Sequence, residues 1–388
     1  MKIRLFYHSL VSDWNHGNAH FLRGIATELI ERGHDVIVYE PVDGWSLQNL
    51  RAKHGDEPIK RFHAAYPLLR SVSYDLSRFD ANEVLADADL VIVHEWNDPE
   101  LVRRIGNARR RGSFVALFHD THHRLVTAPE TMCSYDLTHY DGVLAYGRIL
   151  RNLYLSLGLT KKAWVWHEAA DTRRFRPLEA KRHEGDLVWI GNWGDEERAE
   201  ELNEFLIEPV KALGLKARVY GVRYPDHART ALAKAGIEYA GWLPNFDVPE
   251  VFSRFKVTLH VPRRPYVKAL PGIPTIRPFE ALSCGLAMVC SPWQDAEDLF
   301  TANDFSRART GREMTEQLEL LLGCSTRRQG QVRSGLKTIR ARHTCAHRTD
   351  ELLEIFSAIA PSKYVRKPRP RTTEVSLPAM ASPVFSSL

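Results

Sequence analysis

Short apolar runs separated by amphipathic helical stretches recur along the whole chain, and this alternation leaves few folds open. In the first half the runs fall at residues 3–7, 35–39, 90–93 and 114–118, with a helical stretch at 19–32 between the first two. In the second half they fall at 187–190, 217–220, 257–260 and 286–290. Strands this short and uniformly apolar are buried on both faces, as in a parallel sheet covered by helices. Each series therefore reads as βαβ units of an α/β fold. Gly33-His34 ends the first helix in the expected way, because glycine readily adopts the left-handed conformation after a helix C-terminus. At 388 residues the chain has room for two such domains, each with its own core. Open sheets of this kind bind ligands beyond the carboxyl ends of their strands, which directs attention to residues 8–20 and to His119 onward.

Composition narrows the setting. Hydrophobic residues make up 44% and charged residues 26%, and the formal charge of +5 is too modest to call for nucleic acid. The five cysteines form no CxxC and leave one unpaired in any disulfide scheme, which fits a reducing, cytoplasmic setting. Residues 2–7 read as a strand rather than a signal peptide, and no stretch approaches the ~20 apolar residues needed to span a bilayer. The segment 361–388 combines Lys363, Arg366, Lys367, Arg369 and Arg371 with prolines and serines and is expected to be a disordered basic tail. Such a tail is either simply solvated or a peripheral contact to an anionic membrane surface.

Residues 271–300, PGIPTIRPFEALSCGLAMVCSPWQDAEDLF, join a helix start to a carboxylate and then to a buried strand. Thr275 can cap the helix, Pro278 is tolerated in its first turn, and Cys284-Gly285 ends it. Glu280 therefore lies early on this helix, beside a terminus whose free N–H groups attract anions, and Arg277 adds a full positive charge there.

This pattern resembles the donor-binding motif of GT-B glycosyltransferases of group 1, and the form Arg-x-Phe-Glu-Ala-x-x-x-Gly is most similar to the CgeB-like (spore maturation protein) branch. The resemblance implies two Rossmann-like domains facing a cleft, with a nucleoside diphosphate sugar as donor. It implies that Glu280 holds the ribose hydroxyls and that Gly272 stands where the family carries a first, hexose-binding glutamate. Backbone groups of Ile273, Thr275 and Ile276 are the remaining hexose or phosphate contacts there. Residues 164–177, WVWHEAADTRRFRP, resemble the crossover between the two domains. The expected division is 1–176 for the acceptor-side domain, 177–341 for the nucleotide-sugar domain, and 342–360 for a terminal helix that crosses back.

Four loops carry the remaining chemistry. Amides of Gly17 and Asn18, before the first helix, can face phosphate or serve only the turn. The run 118–124, FHDTHHR, reads as a metal site, as hydrogen-bonded loop histidines, or as an active-site loop. The resemblance favours the last, with His119 toward the acceptor and Asp120 orienting it or accepting a proton. After the strand at 187–190, Arg198 is a candidate for the β-phosphate or for a helical ion pair. In Gly241-Trp242-Leu243-Pro244, Trp242 and Leu243 are candidates to flank the nucleobase, with packing under a helix as the plainer role for Trp242. Asp87-Ala88-Asp89 opens a strand, the wrong end for a metal-binding pair of carboxylates. The resemblance also implies no bound metal or cofactor, because in such enzymes helix N-termini and basic side chains stabilise the leaving phosphate.

The expected activity is transfer of a sugar from a UDP-, GDP- or ADP-linked donor to a hydroxyl on a glycan, lipid or protein, with the retention of configuration that the resemblance implies. The rivals are a nucleotide-sugar epimerase of the same architecture and a non-catalytic nucleotide-sugar-binding protein.

Overall fold

The structure is a computed structural model and describes residues 1–179 and 182–363. The tail expected for 361–388 lies, beyond Lys363, outside the described residues.

The first sheet contains β1 (Lys2–Phe6), β2 (Asp35–Pro41), β3 (Ser71–Tyr74), β4 (Leu90–His94), β5 (Val115–Asp120), β6 (Gly142–Ala145) and β7 (Ala163–Val165). They pair in the order β3-β2-β1-β4-β5-β6-β7, all parallel, with Ile3 opposite both Val36 and Leu90. The second sheet contains β8 (Leu187–Ile190), β9 (Ala217–Tyr220), β10 (Glu238–Tyr239), β11 (Val257–His260), β12 (Ala287–Cys290) and β13 (Ser306–Arg307). Its order is β10-β9-β8-β11-β12-β13, again all parallel. Every residue of β4, β5, β8, β11 and β12 is buried, which is why these central strands read as mainly apolar runs.

The two layers share an apolar core. Leu5, Phe21 and Trp166 from the first half lie in one buried cluster with Val188, Phe252, Phe279 and Phe356 from the second. The helix Cys345–Ile359, started by a capping box at Thr344, packs on the helix Ala19–Glu31 behind the first sheet. Gly24 permits this approach, since a Cβ there would meet Cys345 Sγ and come within 2.9 Å of Asp171 Cβ. Trp166 Nε1 donates to Arg348 O at 2.8 Å and Arg32 pairs with Asp350 at 2.7 Å, so polar bonds fix the register of the same contact.

Candidate active site

Strand order reverses between β1 and β4 in the first sheet and between β8 and β11 in the second, so the chains leaving each pair turn apart and open a crevice. Residues following all four strands line a shared cavity of about 430 Å³: His8 after β1, Trp96 after β4, Gly191 after β8 and Val261 after β11.

On the second-domain wall the turn after β8 runs through consecutive left-handed residues, Gly194 (φ 97°), Asp195 (φ 49°) and Glu196 (φ 66°), and returns Arg198 over Trp189, with its guanidinium 5.0 Å from the ring centroid. Arg198 donates to Val261 O at 3.0 Å and to Asn192 O. Among the described residues no carboxylate lies within ion-pair distance of it, whereas Arg263 pairs with Glu197 at 2.8 Å and Arg277 pairs with Glu280. Burial, with the Arg263 guanidinium adding to it, pushes Arg198 down to about 9. A cation so placed, beside other cations and lacking an anion, is stabilised by an anionic ligand. Thr275, Ile276 and Arg277 complete this wall at the start of the helix Ile276–Ser283, whose N-cap Thr275 makes no side-chain capping bond.

Glu280 lies one turn further on, fully buried and outside the cavity lining. It accepts from Asn245 Nδ2 at 2.7 Å and from Arg277, and His20 Nδ1 of the first domain lies 3.1 Å away. His20 Nε2 accepts from the Asp171 amide at 2.8 Å, which leaves the ring hydrogen on Nδ1, toward Glu280. Burial alone would raise the Glu280 carboxyl, but Arg277, His20 and Asn245 outweigh it and hold the group below its usual range. Asn245, which lines the cavity, lies between it and the Glu280 carboxylate expected to hold the ribose. The Asn245 side-chain carbonyl is buried with no partner among the described residues.

Trp242 and Leu243 line the cavity beside Asn245. Trp242 Nε1 and the Asn245 amide donate to the two oxygens of Asp13, at 3.1 and 3.0 Å, and Arg23 holds Asp13 at 2.8 Å. Gly272 and Ile273 do not line it. Gly272 has φ 90° and a Cβ there would lie 2.8 Å from Glu297 Cγ, so no glutamate fits at this position without moving Glu297. Ile273 is fully buried with Tyr266 and Leu270.

On the first-domain wall Gly17 and Asn18 line the cavity, and Asn18 Nδ2 donates to Glu168 Oε1 at 3.1 Å. Burial pushes the Glu168 carboxyl up to about 8. His119 and Asp120 do not reach the cavity, because β5 continues through both and keeps them in the sheet. His119 Nδ1 bonds the Tyr7 hydroxyl at 2.7 Å and packs on Trp166, and burial pushes its imidazole down to about 3. Asp120 accepts from the His122 amide at 2.9 Å and from the Tyr154 hydroxyl at 2.8 Å. The residues that follow, Thr121, His122 and His123, face the cavity instead. Among the described residues no group of three or more His, Cys, Asp or Glu side chains is arranged to hold a metal ion.

The sequence reading pointed to the loop that begins at His8 but gave no role to Trp45, Trp96, Glu168 or Asn245. Trp96 follows the end of an apolar strand at the reversal point, and that position was the available signal.

Two parallel α/β sheets joined across a cleft define the GT-B architecture. Residues 17–174 match the family described as Glycosyltransferase Family 4, and residues 198–354 match one described as Glycosyl transferase-like. Each half of the chain thus matches a glycosyltransferase family, and these matches support glycosyl transfer as the activity class. No curated protein sequence matches the chain. Similar solved structures include Anabaena Alr3699/HepE in complex with UDP and glucose (13% identity, 92% of this chain, all of that one, TM-score 0.65). Sucrose-phosphate synthase from Thermosynechococcus elongatus is similar over 94% of this chain and all of its own (12% identity, TM-score 0.65). The β-glucosyltransferase of T4 phage is similar over 92% of this chain and 99% of its own (15% identity, TM-score 0.59).

Proposed function

We propose that this protein transfers a sugar from a nucleoside diphosphate sugar to an acceptor hydroxyl in the cleft between its sheets. The observation that carries the reading is Arg198, a cavity-lining guanidinium with no carboxylate partner among the described residues, grouped with Arg263 and Arg277 on the donor-side wall. The donor diphosphate supplies the missing negative charge, and the Thr275 and Ile276 amides at the helix start bind its oxygens. Trp242 and Leu243 flank the base, and a ribose hydroxyl donates to the Asn245 side-chain carbonyl while Glu280 fixes that amide from behind.

The acceptor enters from the first-domain wall, with Gly17 and Asn18 nearest the donor phosphates. His119 and Asp120 act as positioning residues: His119 anchors Tyr7, and Asp120 fixes the turn that presents Thr121, His122 and His123. As the bond from the anomeric carbon to the leaving oxygen breaks, charge accumulates on the diphosphate, where the arginines and helix amides stabilise it. The same atoms support reaction without a bound metal, and the departing phosphate accepts the acceptor proton in the retaining course read from the family. Cytoplasmic location, the CgeB-like branch, the division at residues 176/177 and peripheral membrane contact through the basic tail belong to the same reading. Of the structures named, one holds UDP and glucose, which accords with a nucleotide-sugar donor.

The test is incubation of the full chain with UDP-, GDP- and ADP-glucose and a glycoside mixture, followed by mass spectrometry. A product heavier than its acceptor by one hexose, formed with one donor base, supports transfer. Conversion of the donor sugar without acceptor marks an epimerase, and an unchanged donor marks a binding protein.

A further inference from the structure

The first-domain side of the cavity holds four rings outside the donor site: His8, Trp45, Trp96 and His122. His8 stacks on Trp45 with 5.5 Å between centroids and 7° between planes, and Trp96 lies 6.2 Å from His8 at 61°. Trp96 is 6.5 Å from Trp45 at 59° and 5.3 Å from His122 at 77°. His8 and Trp45 lie parallel, but Trp96 is tilted against both and against His122, so the four rings form a cup rather than a parallel slot. Trp96 is 37% exposed although Arg124 lies over it at 4.2 Å, so an aromatic surface remains available at the cup's rim.

The cup also contains unmet polar demand. His8 is 4% exposed, lines the cavity, and neither ring nitrogen has a partner among the described residues. His122 Nδ1 is likewise unpartnered. A buried polar atom left without a hydrogen bond is costly, so these nitrogens call for a ligand with hydroxyls at its edge.

We propose that the cup is the acceptor subsite and that the acceptor is a carbohydrate, one pyranose ring of which lays its C–H face on Trp96 and Trp45 while ring hydroxyls bond His8 and His122. This rests on the transferase reading above and selects among its acceptors. A pyranose has an apolar face and a hydroxyl-bearing edge, matching tilted aromatic surfaces edged by imidazole nitrogens. An alkyl chain would bury those nitrogens without partners, and a flat nucleobase is best held between parallel rings. Burial, with Arg124 adding to it, pushes the His8 imidazole down to about 3, so the ring is neutral and offers one donor and one acceptor nitrogen to hydroxyls.

The test uses saturation-transfer NMR on the full chain with methyl glycosides of glucose, galactose, mannose and N-acetylglucosamine. Cytidine and adenosine form a second arm, and phosphatidylglycerol vesicles a third, read by co-sedimentation. Pyrophosphate titration reports the donor half separately. At least one glycoside should receive saturation on one face of its ring, and Trp96→Ala and His8→Phe should each weaken it roughly tenfold, with pyrophosphate affinity unchanged. Trp96 is partly exposed and His8→Phe preserves the stacked ring, so both variants should fold. Absence of any glycoside signal, equal binding by the variants, or binding confined to nucleosides or vesicles overturns the proposal. Failure of the unaltered chain to bind pyrophosphate overturns the transferase reading instead.

Discussion

Replacing Arg198 by glutamine should separate ligand affinity from fold stability. In the free protein Arg198 bonds two backbone carbonyls and lies over Trp189, but among the described residues it neutralises no carboxylate. Its removal therefore leaves no buried charge unpaired, and the melting temperature should move by only a few degrees. Pyrophosphate, which carries the donor's anionic part without the base, should lose one charge-assisted fork. Hydrogen bonds to a charged group contribute about 1.5–3 kcal/mol, so affinity should fall roughly tenfold to about 150-fold. Calorimetric titration of pyrophosphate into both proteins measures this directly. Salt gives an independent check, because a guanidinium keeps its charge throughout the working pH range: wild-type affinity should fall more steeply with ionic strength than that of the glutamine variant. If Arg198→Gln binds pyrophosphate within about threefold of wild type, or unfolds, the assignment of this cation to the diphosphate is wrong.

Glu280→Gln should behave oppositely, because it breaks a buried pair with Arg277 and weakens the link to His20. The loss should be on the order of 3 kcal/mol at neutral pH, read by thermal or denaturant unfolding. The Glu280 carboxyl is held below its usual value in the folded state, so this contribution is complete above about pH 4.5 and is lost as pH falls through the folded value. The two unfolding curves should therefore converge in acid. For Glu168, raised to about 8, the sign reverses: the folded state keeps its proton longer, so stability declines as pH rises from about 4.5 to 8. Glu168→Gln keeps an acceptor for Asn18 and should flatten that decline, by up to about 1.4 kcal/mol per pH unit. Finally, excess EDTA should leave the transfer rate unchanged, since the arginines and helix amides carry the phosphate charge; loss of activity restored by manganese or magnesium would contradict this.

The central strands were legible because parallel strands covered on both faces are mostly apolar, and β4, β5, β8, β11 and β12 are fully buried, with polar residues mainly at their carboxyl ends. Edge strands were not. β3 reads Ser-Val-Ser-Tyr with two exposed residues, and β10 and β13 are two residues each, so none carries a periodic signal. The helix bearing Glu280 was readable from its local signals, and it spans Ile276–Ser283. What covers Glu280 was not readable, since His20 is 260 positions away and meets it only because the domains close on each other. At 272 the sequence showed a missing carboxylate, and the backbone supplies the reason: a left-handed glycine pressed against Glu297. The strand signal at 114–118 ended two residues early, which placed His119 and Asp120 in a loop when they still belong to β5. The aromatic cup was invisible because His8, Trp45, Trp96 and His122 come from four separate segments that only the sheet order brings together.

The most direct test of the donor site is calorimetric titration of UDP, GDP and ADP into the wild-type protein, each repeated with pyrophosphate as competitor. One nucleotide should bind selectively and be displaced by pyrophosphate, because the arginine wall holds the diphosphate while Trp242, Leu243 and Asn245 read the nucleoside. Absence of binding by all three would contradict a nucleotide-sugar site in this cleft.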